Sequence, residues 1–342
     1  MFVKNQKQQA TLLKDIQKHT NKAVSVRFVL ANIHWYTLKE QLLMSSIIKK
    51  QKLDLIHFLH WNIPFFYSGN FIVTIHDLTM FHYARPEATT LGPIIYRVKD
   101  FAHRKLIKRI VSRAKKIIAP TQFVAEDIEK TFGNALNKTV VTHLAPYTSE
   151  QKNIDAKKIL NNYSLKKNHY LLYVGSAYPH KNLSAVIKAW RFLLQWDPES
   201  IADYELVFVG KSTVFYEKVM RLAEGITSIR HLGFVPDSEL EPIYRGASVF
   251  VFPSLSEGFG IPPLEAMAKN IPVVSSLCSC IPEVLQDAAI YTRVDDTENF
   301  AQTLQQAITD DSLRQQAKER GREVVKQYSW ERAAQHTAAL YK

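Results

Sequence analysis

The fold class is decided by residues 247–291, which read ASVFVFPSLSEGFGIPPLEAMAKNIPVVSSLCSCIPEVLQDAAIY. A run of β-branched and aromatic residues over 247–253 has the pattern of a buried strand and ends at Pro253. A loop containing glycine follows, and a helix is predicted to begin near Ile261 because proline is tolerated in a first helical turn. A second strand is predicted at 271–276. Strand, loop, helix and strand in this order predict an α/β fold with a parallel sheet.

The rest of the chain repeats this alternation of strands and helices. A helix is predicted from Lys181, with apolar residues at a helical period: Leu183, Val186, Ile187, Trp190, Leu193 and Leu194. The other predicted strands lie at 23–31, 53–59, 71–76, 115–120, 138–144, 169–175 and 204–210. A polar stretch at 148–158 is the best candidate for a linker. We therefore predict two doubly wound, Rossmann-like domains, 1–150 and 151–327, followed by a C-terminal helix, 328–342, that crosses back to the first.

The loop after the strand at 247–253 carries residues suited to binding a hydroxylated ligand. Gly258 and Gly260 flank Phe259, so the backbone can approach a ligand closely and offer N–H groups. Glu257 and Glu265 stand eight residues apart, and an ionised carboxylate accepts the two hydrogen bonds that neighbouring sugar or ribose hydroxyls donate. Taken singly, Glu257 is also consistent with a solvated loop acid, and Glu265 with a residue favoured by the helix dipole.

A second candidate lies in the turn GSAYPHK, residues 175–181, which follows the strand at 169–175. Ligands of open α/β sheets bind beyond the carboxyl ends of the strands, where helix N-termini carry partial positive charge. Lys181, at the predicted helix start, opposes that dipole. An anion between Lys181 and the helix end would resolve the conflict, and an exposed lysine in water is the alternative.

The charge of the chain is concentrated in its first part. Residues 1–150 contain 22 Lys and Arg against 10 Asp and Glu, whereas the remainder is balanced. Nine of the basic residues fall within 97–116, where apolar residues at helical spacing predict a helix with one apolar and one basic face: Val98, Phe101, Leu106, Ile110 and Val111. Such a helix is consistent with a solvated surface, an anionic membrane surface or a nucleic acid, and charge alone does not choose between them.

Other signals exclude several classes of protein. No apolar run approaches the roughly 18 residues of a membrane-spanning helix, and the first ten residues lack the apolar stretch of a signal peptide, so we expect a cytoplasmic protein. Cys278 and Cys280 are too close for a sound disulfide and are interpreted as packing residues. No Asp-x-Asp motif is present in a suitable loop, and the pair Asp295 and Asp296 lies elsewhere, so no metal is expected.

The segment SEGFGIPPLEAMA, followed by PVV and IPEV, resembles the family-4 glycosyltransferases, which are retaining enzymes of the GT-B fold. The segments YVGSAYPHKNL (173–183), VFVGK (207–211), HLGFVPDSEL (231–240) and YSWERAAQHTAALYK (328–342) agree with it. The resemblance extends from about residue 50 to the end of the chain. It implies two Rossmann-like domains facing a cleft and transfer of a hexose, with mannose a candidate, from a GDP- or UDP-sugar to a glycan or lipid-linked acceptor.

The resemblance also assigns residues. Glu257 matches the acid that contacts the donor sugar, Glu265 the one that holds the ribose hydroxyls, and Lys181 the lysine that binds the diphosphate. His76 matches a histidine near the transferred sugar and is, with Glu257, the catalytic candidate. Further donor-side residues are Gly175, Ser176, Gly210, Lys211, Phe234, Val235, Phe259, Gly260 and Ile261. Candidates on the acceptor side are His57, His60 and Asp77.

Two departures from the family stand out. Ser176 occupies the place where many members have an arginine that supplies a second cation. The family also opens with a strand and a glycine-rich loop, whereas this chain begins at a predicted helix, residues 8–18, with no glycine before Gly69. The alternatives are therefore an inactive or truncated GT-B protein that binds a nucleotide-sugar without transfer, or a glycosidase using Glu257 and Glu265. Nucleic-acid binding is not expected, and attachment to an anionic inner membrane surface through 97–116 is.

Overall fold

The structure is a computed structural model that describes residues 1–19, 25–34, 37–83, 93–147 and 155–341. It divides into two compact units. The smaller unit comprises Met1–Ile75 and Ile94–Ile117, and the larger one comprises His76–Pro93 and Ile118–Lys342. Most of the candidate linker, 148–154, lies outside the described residues. The predicted domain limits and the crossing of the C-terminal helix stay predictions.

Twelve strands and fourteen α-helices occur in the described residues. The strands are β1 (Phe2–Val3), β2 (Val29–Leu30), β3 (Ile56–Phe58), β4 (Phe71–Thr74), β5 (Lys116–Ala119), β6 (Thr139–Val141), β7 (Tyr170–Val174), β8 (Glu205–Val209), β9 (Ile229–His231), β10 (Val249–Phe252), β11 (Val273–Ser276) and β12 (Ala289–Thr292). The helices are α1 (Gln6–His19), α2 (Ser45–Lys50), α3 (Thr79–His82), α4 (Pro93–Arg113), α5 (Gln122–Phe132), α6 (Ala156–Asn162), α7 (Leu183–Trp196), α8 (Val214–Arg221), α9 (Asp237–Gly246), α10 (Ile261–Ala268), α11 (Ile281–Leu285), α12 (Thr297–Thr309), α13 (Asp311–Val325) and α14 (Trp330–Ala339).

In the smaller unit, strands pair in parallel. β1 pairs with β2, and β3 pairs with β4, whose four residues are all buried. The predicted strands at 53–59 and 71–76 are thereby confirmed in shortened form. The predicted strand at 23–31 is reduced to β2, and residues 23 and 24 lie outside the described ranges. The predicted opening helix is present as α1, but a two-residue strand precedes it, joined by Lys4 and Asn5 and without a glycine.

Helix α4 corrects one feature of the sequence prediction. Ile110 and Val111 face the interior as expected, and Ile107 joins them. Val98 and Phe101, however, are 63% and 60% exposed, so they do not belong to the buried face. Among the residues that the structure describes, no helix combines the length and the apolar character needed to span a bilayer.

The larger unit is built on a six-stranded sheet in the order β12-β11-β10-β7-β8-β9, and every neighbouring pair is parallel. From β7 the chain proceeds outward through β8 and β9, returns beside β7 as β10, and proceeds outward in the other direction through β11 and β12. The point at which the strand order reverses lies between β7 and β10. In doubly wound sheets, ligands bind at the carboxyl ends of the two strands at this point.

The core of the larger unit follows the predicted patterns. The buried stripe of α7 is confirmed: Leu183, Val186, Ile187, Trp190 and Leu193 are almost completely inaccessible, and Leu194 packs at their edge. Strands β9 and β12 had no clear sequence signal. They form the two edges of the sheet and are half-buried at most positions, so they lack the continuous apolar run that identifies a central strand.

Candidate functional site

The loops that follow β7 and β10 meet through an ion pair. Lys181 Nζ lies 2.6 Å from Glu257 Oε1, and the two side chains are only 19% and 12% exposed. Lys181 follows β7 and Glu257 follows β10, the two adjacent strands at which the strand order reverses. A cation and a carboxylate, 76 residues apart in sequence, thus lie together where the topology favours ligand binding.

The backbone around Lys181 differs from the prediction. Lys181 does not begin α7; it ends a single 3₁₀ turn, Pro179–Lys181. Asn182, with a left-handed φ of 55°, separates that turn from the helix. The carbonyl of the buried His180 accepts a hydrogen bond from the N–H of Leu255 at 2.7 Å. This bond joins the Lys181 turn directly to the loop that carries Glu257.

The Glu257 backbone is fixed by the loop after β11. Its N–H donates to Ser279 Oγ at 3.0 Å, and its carbonyl accepts from Cys280 Sγ at 3.2 Å. Burial is the largest of the causes that raise the pKa of the Cys280 thiol. Cys280 is therefore a neutral packing residue at neutral pH, as predicted, and it also orients the acidic loop.

Gly258 is in van der Waals contact with the segment after β4. A Cβ atom on Gly258 would stand 1.8 Å from the carbonyl oxygen of His76 and 3.0 Å from the Cβ atom of Asp77. The carbonyl of Gly258 also accepts a hydrogen bond from the buried Thr121 hydroxyl at 3.0 Å. Within the larger unit, these contacts bring the two catalytic candidates, His76 and Glu257, into adjoining backbone segments.

Asp77 has a local role in this arrangement. Its Oδ1 atom accepts a hydrogen bond from the N–H of Thr79 at 2.8 Å, and the Thr79 hydroxyl lies 3.1 Å from Ser256 Oγ. The carboxylate thereby stabilises the turn that begins α3. That turn contacts the residue immediately before Glu257.

Glu265 occupies a half-buried position on α10. The Tyr244 hydroxyl donates to its Oε2 atom at 3.3 Å, and its own backbone carbonyl accepts from Lys269 Nζ at 3.4 Å. Burial raises the pKa of Glu265, while Lys269, Tyr244 and the Tyr147 backbone lower it. Burial also lowers the pKa of Lys269, and nearby Glu265 raises it. The site therefore holds a carboxylate at the edge of solvent, where an added hydroxyl donor would stabilise its charge.

Gly175 and Gly210, at the ends of β7 and β8, touch through their backbones. A Cβ atom on Gly210 would stand 2.0 Å from the Gly175 carbonyl oxygen, which also accepts from the Tyr216 hydroxyl at 2.8 Å. His231 stacks on Tyr216 at 4.0 Å and contacts the Gly210 carbonyl through Nε2 at 2.9 Å. Only glycine allows this approach, because the space is filled by backbone and aromatic atoms.

The other donor-side candidates lie in the loops after β7, β8, β9 and β10 of the larger unit or at the start of α10. Ser176 and Lys211 are exposed. Phe234 is 70% exposed, whereas Val235 beside it is buried. Phe259 is buried against Tyr328, with ring centroids 5.3 Å apart. Gly260 caps α10 with a left-handed φ, and Ile261 begins the helix as predicted.

The two remaining acceptor-side candidates belong to the smaller unit. His57 lies on β3, and its Nε2 atom is 2.8 Å from Thr74 Oγ1. His60 is exposed beside Trp61, with ring centroids 4.5 Å apart, and its Nδ1 atom accepts from the Asn62 N–H. Their roles stay predictions.

Sequence reasoning missed several residues that support the site. Ser279 and Tyr244 contact Glu257 and Glu265, and no local spacing signals these long-range bonds. Glu283 accepts from the N–H groups of Gln122 and Phe123, at 2.7 and 2.9 Å, and so holds the start of α5. Glu283 lies in the IPEV segment, which agrees with the family pattern and could have identified it as a candidate. Ser279 and Tyr244 have no such signal in the sequence.

Two family profiles match most of the chain: glycosyltransferase family 4 over residues 8–145 and glycosyl transferases group 1 over residues 155–324. Among proteins of similar sequence, O-antigen chain mannosyltransferase B of Escherichia coli is 32% identical over 276 residues, which are 79% of this chain and 70% of that protein. O-antigen chain mannosyltransferase RfbU of Salmonella typhimurium is 29% identical over 272 residues, which are 78% and 68% of the two chains.

Solved structures show the same fold. WaaG, a glycosyltransferase involved in lipopolysaccharide biosynthesis, aligns over 93% of this chain and 88% of its own, with a TM-score of 0.72 and 17% identity. HepE of Anabaena, solved in complex with UDP and glucose, aligns over 97% and 89%, with a TM-score of 0.68 and 16% identity. The fold is therefore that of the GT-B glycosyltransferases, α/β with parallel sheets in two Rossmann-like domains, as predicted.

Sequence and profile matches then identify the family. The chain belongs to the family-4 glycosyltransferases, and it is an enzyme of that class. This confirms the resemblance inferred from the Glu257 to Glu265 segment.

Proposed function

We propose that this enzyme transfers a hexose, with mannose the favoured sugar, from a nucleotide-diphosphate donor to a glycan or lipid-linked acceptor in polysaccharide synthesis. The observation that carries the proposal is the Lys181–Glu257 ion pair at the point where the strand order reverses. The choice of mannose and of an envelope polysaccharide is supported by the names of the two bacterial relatives, which are O-antigen mannosyltransferases.

Lys181 would bind the donor diphosphate. A lysine ammonium is a compact charge that donates strong hydrogen bonds to phosphate oxygens. During transfer, negative charge accumulates on the leaving diphosphate, so a cation already fixed in a mostly buried position stabilises the transition state more than the ground state. The short hydrogen bond to Glu257 holds Lys181 in place before the donor arrives.

The two carboxylates would recognise hydroxyl groups. Glu257 would accept from the donor sugar, and Glu265, beyond the first turn of α10, from the ribose. Phe234 and Val235 would hold the base, with the exposed Phe234 ring as a stacking surface. The backbone of Phe259, Gly260 and Ile261 would surround the sugar and diphosphate. His76 would lie beside the transferred sugar, because its carbonyl touches Gly258, the residue next to Glu257.

Other elements of the proposal come from the family resemblance. Retention of the anomeric configuration by front-side attack is implied by the resemblance, and no metal is assigned a role. The basic helix α4 is proposed to dock on an anionic membrane surface, which would give access to a lipid-linked acceptor. The protein would then act at the cytoplasmic face of a membrane.

A ligand panel tests the proposed reaction. Thermal unfolding should be measured with GDP-mannose, UDP-glucose, UDP-galactose and ADP-glucose, since a ligand at 100 times its Kd stabilises the folded state by about 2.7 kcal/mol. We expect one nucleotide-sugar, GDP-mannose first among them, to raise the Tm, and its nucleoside diphosphate to be released when bacterial membranes supply the acceptor.

Three other results would contradict the proposal. If no nucleotide-sugar raises the Tm, there is no donor site. Stabilisation without release of nucleoside diphosphate would indicate a binding protein that does not transfer. Hydrolysis of an aryl mannoside in the absence of nucleotide would indicate a glycosidase, for which the two carboxylates would serve as acid and nucleophile.

A further inference from the structure

The start of α5 is held by a side chain from a distant part of the chain. The N–H groups of Gln122 and Phe123 donate to the two carboxylate oxygens of Glu283, at 2.7 and 2.9 Å. Thr121 caps the same helix, because its hydroxyl accepts from the N–H of Val124 at 3.2 Å. Glu283 therefore serves the two N–H groups that the cap leaves free, and a carboxylate is favoured there by the helix dipole. These bonds join the start of α5 to α11, about 160 residues away.

The cap residue Thr121 also contacts the loop that carries Glu257. Its hydroxyl donates to the carbonyl of Gly258 at 3.0 Å, and the residue is completely buried. A hydroxyl has a single proton to donate, and here that proton is committed to Gly258 while the oxygen accepts from α5. The position of the Gly258 carbonyl therefore depends on where the backbone of α5 begins.

The segment that carries Glu283 holds Glu257 as well. Ser279 Oγ accepts from the Glu257 N–H at 3.0 Å, and the Cys280 thiol donates to the Glu257 carbonyl at 3.2 Å. Ser279 has a left-handed φ of 54°, and the N–H of Val284 donates to the Cys280 carbonyl at 3.0 Å, so the turn into α11 is itself fixed. Glu283 and the two side chains that hold Glu257 thus lie within one short segment, 279–283.

These contacts close into a ring, called here the hydrogen-bond ring. It passes from the Gly258 carbonyl to the start of α5, from there to the Glu283 carboxylate, and along the chain to the Cys280 thiol on the Glu257 carbonyl. All of its members belong to the larger unit: Thr121, Gln122, Phe123, Glu257, Gly258, Ser279, Cys280 and Glu283. In a closed network of this kind, weakening one bond changes the strength of the others.

We propose that Glu283 is a positioning residue for Glu257. By holding the start of α5 it fixes the Gly258 carbonyl, and so the backbone from which the Glu257 carboxylate projects. This role rests on the proposed function, in which Glu257 accepts from the donor sugar, and a displacement of about 1 Å at such a group can cost a factor of about 100 in rate. The ring contains no group assigned to the base, the ribose or the diphosphate. Loss of Glu283 should therefore lower kcat and leave the affinity for the donor unchanged.

Hydrogen exchange tests the ring without donor or acceptor. The full chain is placed in deuterated water, and deuterium uptake in the segment 255–260 is followed by mass spectrometry in wild type and in Glu283→Gln. The glutamine accepts from one N–H of α5 and turns its amide N–H group toward the other, so one bond becomes a repulsive contact. We expect exchange in 255–260 to become about ten-fold faster, because the Glu257 N–H separates from Ser279 more often. Exchange at the wild-type rate would overturn the proposal.

Glu129→Gln is the matched control. Glu129 lies on the same helix and accepts from the backbone N–H groups of Asn134, Ala135 and Leu136, at 3.0, 2.6 and 2.7 Å. Its substitution removes the same kind of bond at the other end of α5, outside the ring. We expect a comparable loss of Tm in the two variants, with exchange in 255–260 unchanged in Glu129→Gln. Faster exchange in both would show that any weakening of α5 has this effect, and would overturn a specific role of Glu283.

Transfer kinetics test the consequence for the reaction. With GDP-mannose as donor and bacterial membranes as acceptor, kcat of Glu283→Gln should fall about ten-fold, while KM for GDP-mannose stays within about two-fold of wild type. Glu129→Gln should keep both values. A raised KM with unchanged kcat, or equal losses of kcat in the two variants, would overturn the positioning role.

The outcomes separate this role from the proposed function. If wild type releases no nucleoside diphosphate from any donor of the ligand panel, both are overturned. If Lys181→Ala loses affinity for the nucleoside diphosphate while exchange in Glu283→Gln matches wild type, the positioning role alone is overturned.

Variants of Thr121 test the ring at a second link. Thr121→Val keeps the shape of the side chain and removes the hydroxyl, whereas Thr121→Ser keeps the hydroxyl. We expect Thr121→Val to lower kcat as Glu283→Gln does, and Thr121→Ser to restore it nearly to wild type. Because both links act through one ring, the Thr121→Val, Glu283→Gln double variant should lose little more kcat than the more impaired single variant. A loss equal to the product of the two single losses would show independent effects and overturn the ring.

Discussion

The loops after β7 and β10 in the larger unit and the outer side of α4 in the smaller unit place charged and apolar side chains in opposite environments. In the loops, the charged pair Lys181–Glu257 is mostly buried and held by neighbouring backbone. On the outer side of α4, Val98 and Phe101 are mostly exposed, and Lys105 lies over the Phe101 ring at the surface. The first arrangement depends on contacts within the protein, whereas the side chains of the second are mostly exposed to solvent.

The comparison predicts different responses to substitution. The loops should be sensitive to the smallest change, because their backbone atoms touch. The outer side of α4 should tolerate polar replacement of Val98 or Phe101 without loss of stability, because both side chains are mostly exposed. The variants below test the predicted sensitivity of the loops after β7 and β10, from the largest expected effect to the smallest.

Gly258→Ala should have the largest effect. The added methyl group would collide with the His76 carbonyl at 1.8 Å, and backbone must move to accept it. We expect a loss of about 2–3 kcal/mol in the free energy of unfolding, together with a loss of transfer beyond detection. Urea denaturation and release of nucleoside diphosphate measure the two quantities.

Gly225→Ala provides the control for Gly258→Ala. Gly225 has a left-handed φ of 81°, and its substituent would meet nothing within 4 Å, so only backbone strain of about 1 kcal/mol is expected, with transfer retained. Equal stability losses in the two alanine variants would show that the contact with His76 is soft and that the loops are not constrained as described.

Glu257→Gln should separate binding from transfer. The substitution removes the carboxylate that pairs with Lys181. In wild type, a diphosphate that binds Lys181 must displace this carboxylate, whereas in the variant it displaces only a neutral amide. Calorimetry should show the nucleoside diphosphate bound on the order of five-fold more tightly. Transfer should nevertheless fall by about 100-fold, because a sugar contact made in the transition state is weakened. Weaker binding of the nucleoside diphosphate would contradict this competition.

Glu265→Gln should change how stability depends on pH, and this is the smallest effect. Burial raises the pKa of Glu265 above its ordinary value of 4.5, so the folded state keeps the proton more firmly than the unfolded state. As pH rises from 4.5 through the raised pKa, the free energy of unfolding of wild type should fall relative to the variant, and then level off. Urea denaturation between pH 4.5 and 7 measures it, and a difference that rises with pH would refute the assignment.

Much of the fold was predictable where one strong local pattern coincided with burial. The strand at 247–253 and the stripe of α7 followed from an apolar run and from periodicity, and the start of α10 at Ile261 followed from the prolines of its first turn. Glu257 and Glu265 were identified by their spacing and by the family resemblance. Edge strands such as β9 were not predicted, because a half-buried strand of three residues has no recognisable pattern of apolar residues.

The misassignments share a physical cause, which is that exposure is decided by tertiary contacts. Val98 and Phe101 have the same spacing as buried residues, and only the packing of α4 reveals that its interior face runs through Ile107 and Ile110 instead. Likewise, the left-handed Asn182 moves Lys181 out of α7 into a separate turn. The bond from Glu257 to Ser279 joins residues from different loops, and a local pattern cannot predict it.

The central claim is that Lys181 forms the diphosphate site of a sugar donor, and calorimetric titration of a nucleoside diphosphate tests it most directly. The nucleoside diphosphate that the ligand panel selects is titrated into wild type, Lys181→Ala and Lys188→Ala, where Lys188 is an exposed lysine on the same strand–helix unit. The account predicts that affinity falls about 100-fold in Lys181→Ala, through the loss of charge-assisted hydrogen bonds, and is unchanged in Lys188→Ala. Equal affinity in all three proteins would contradict it.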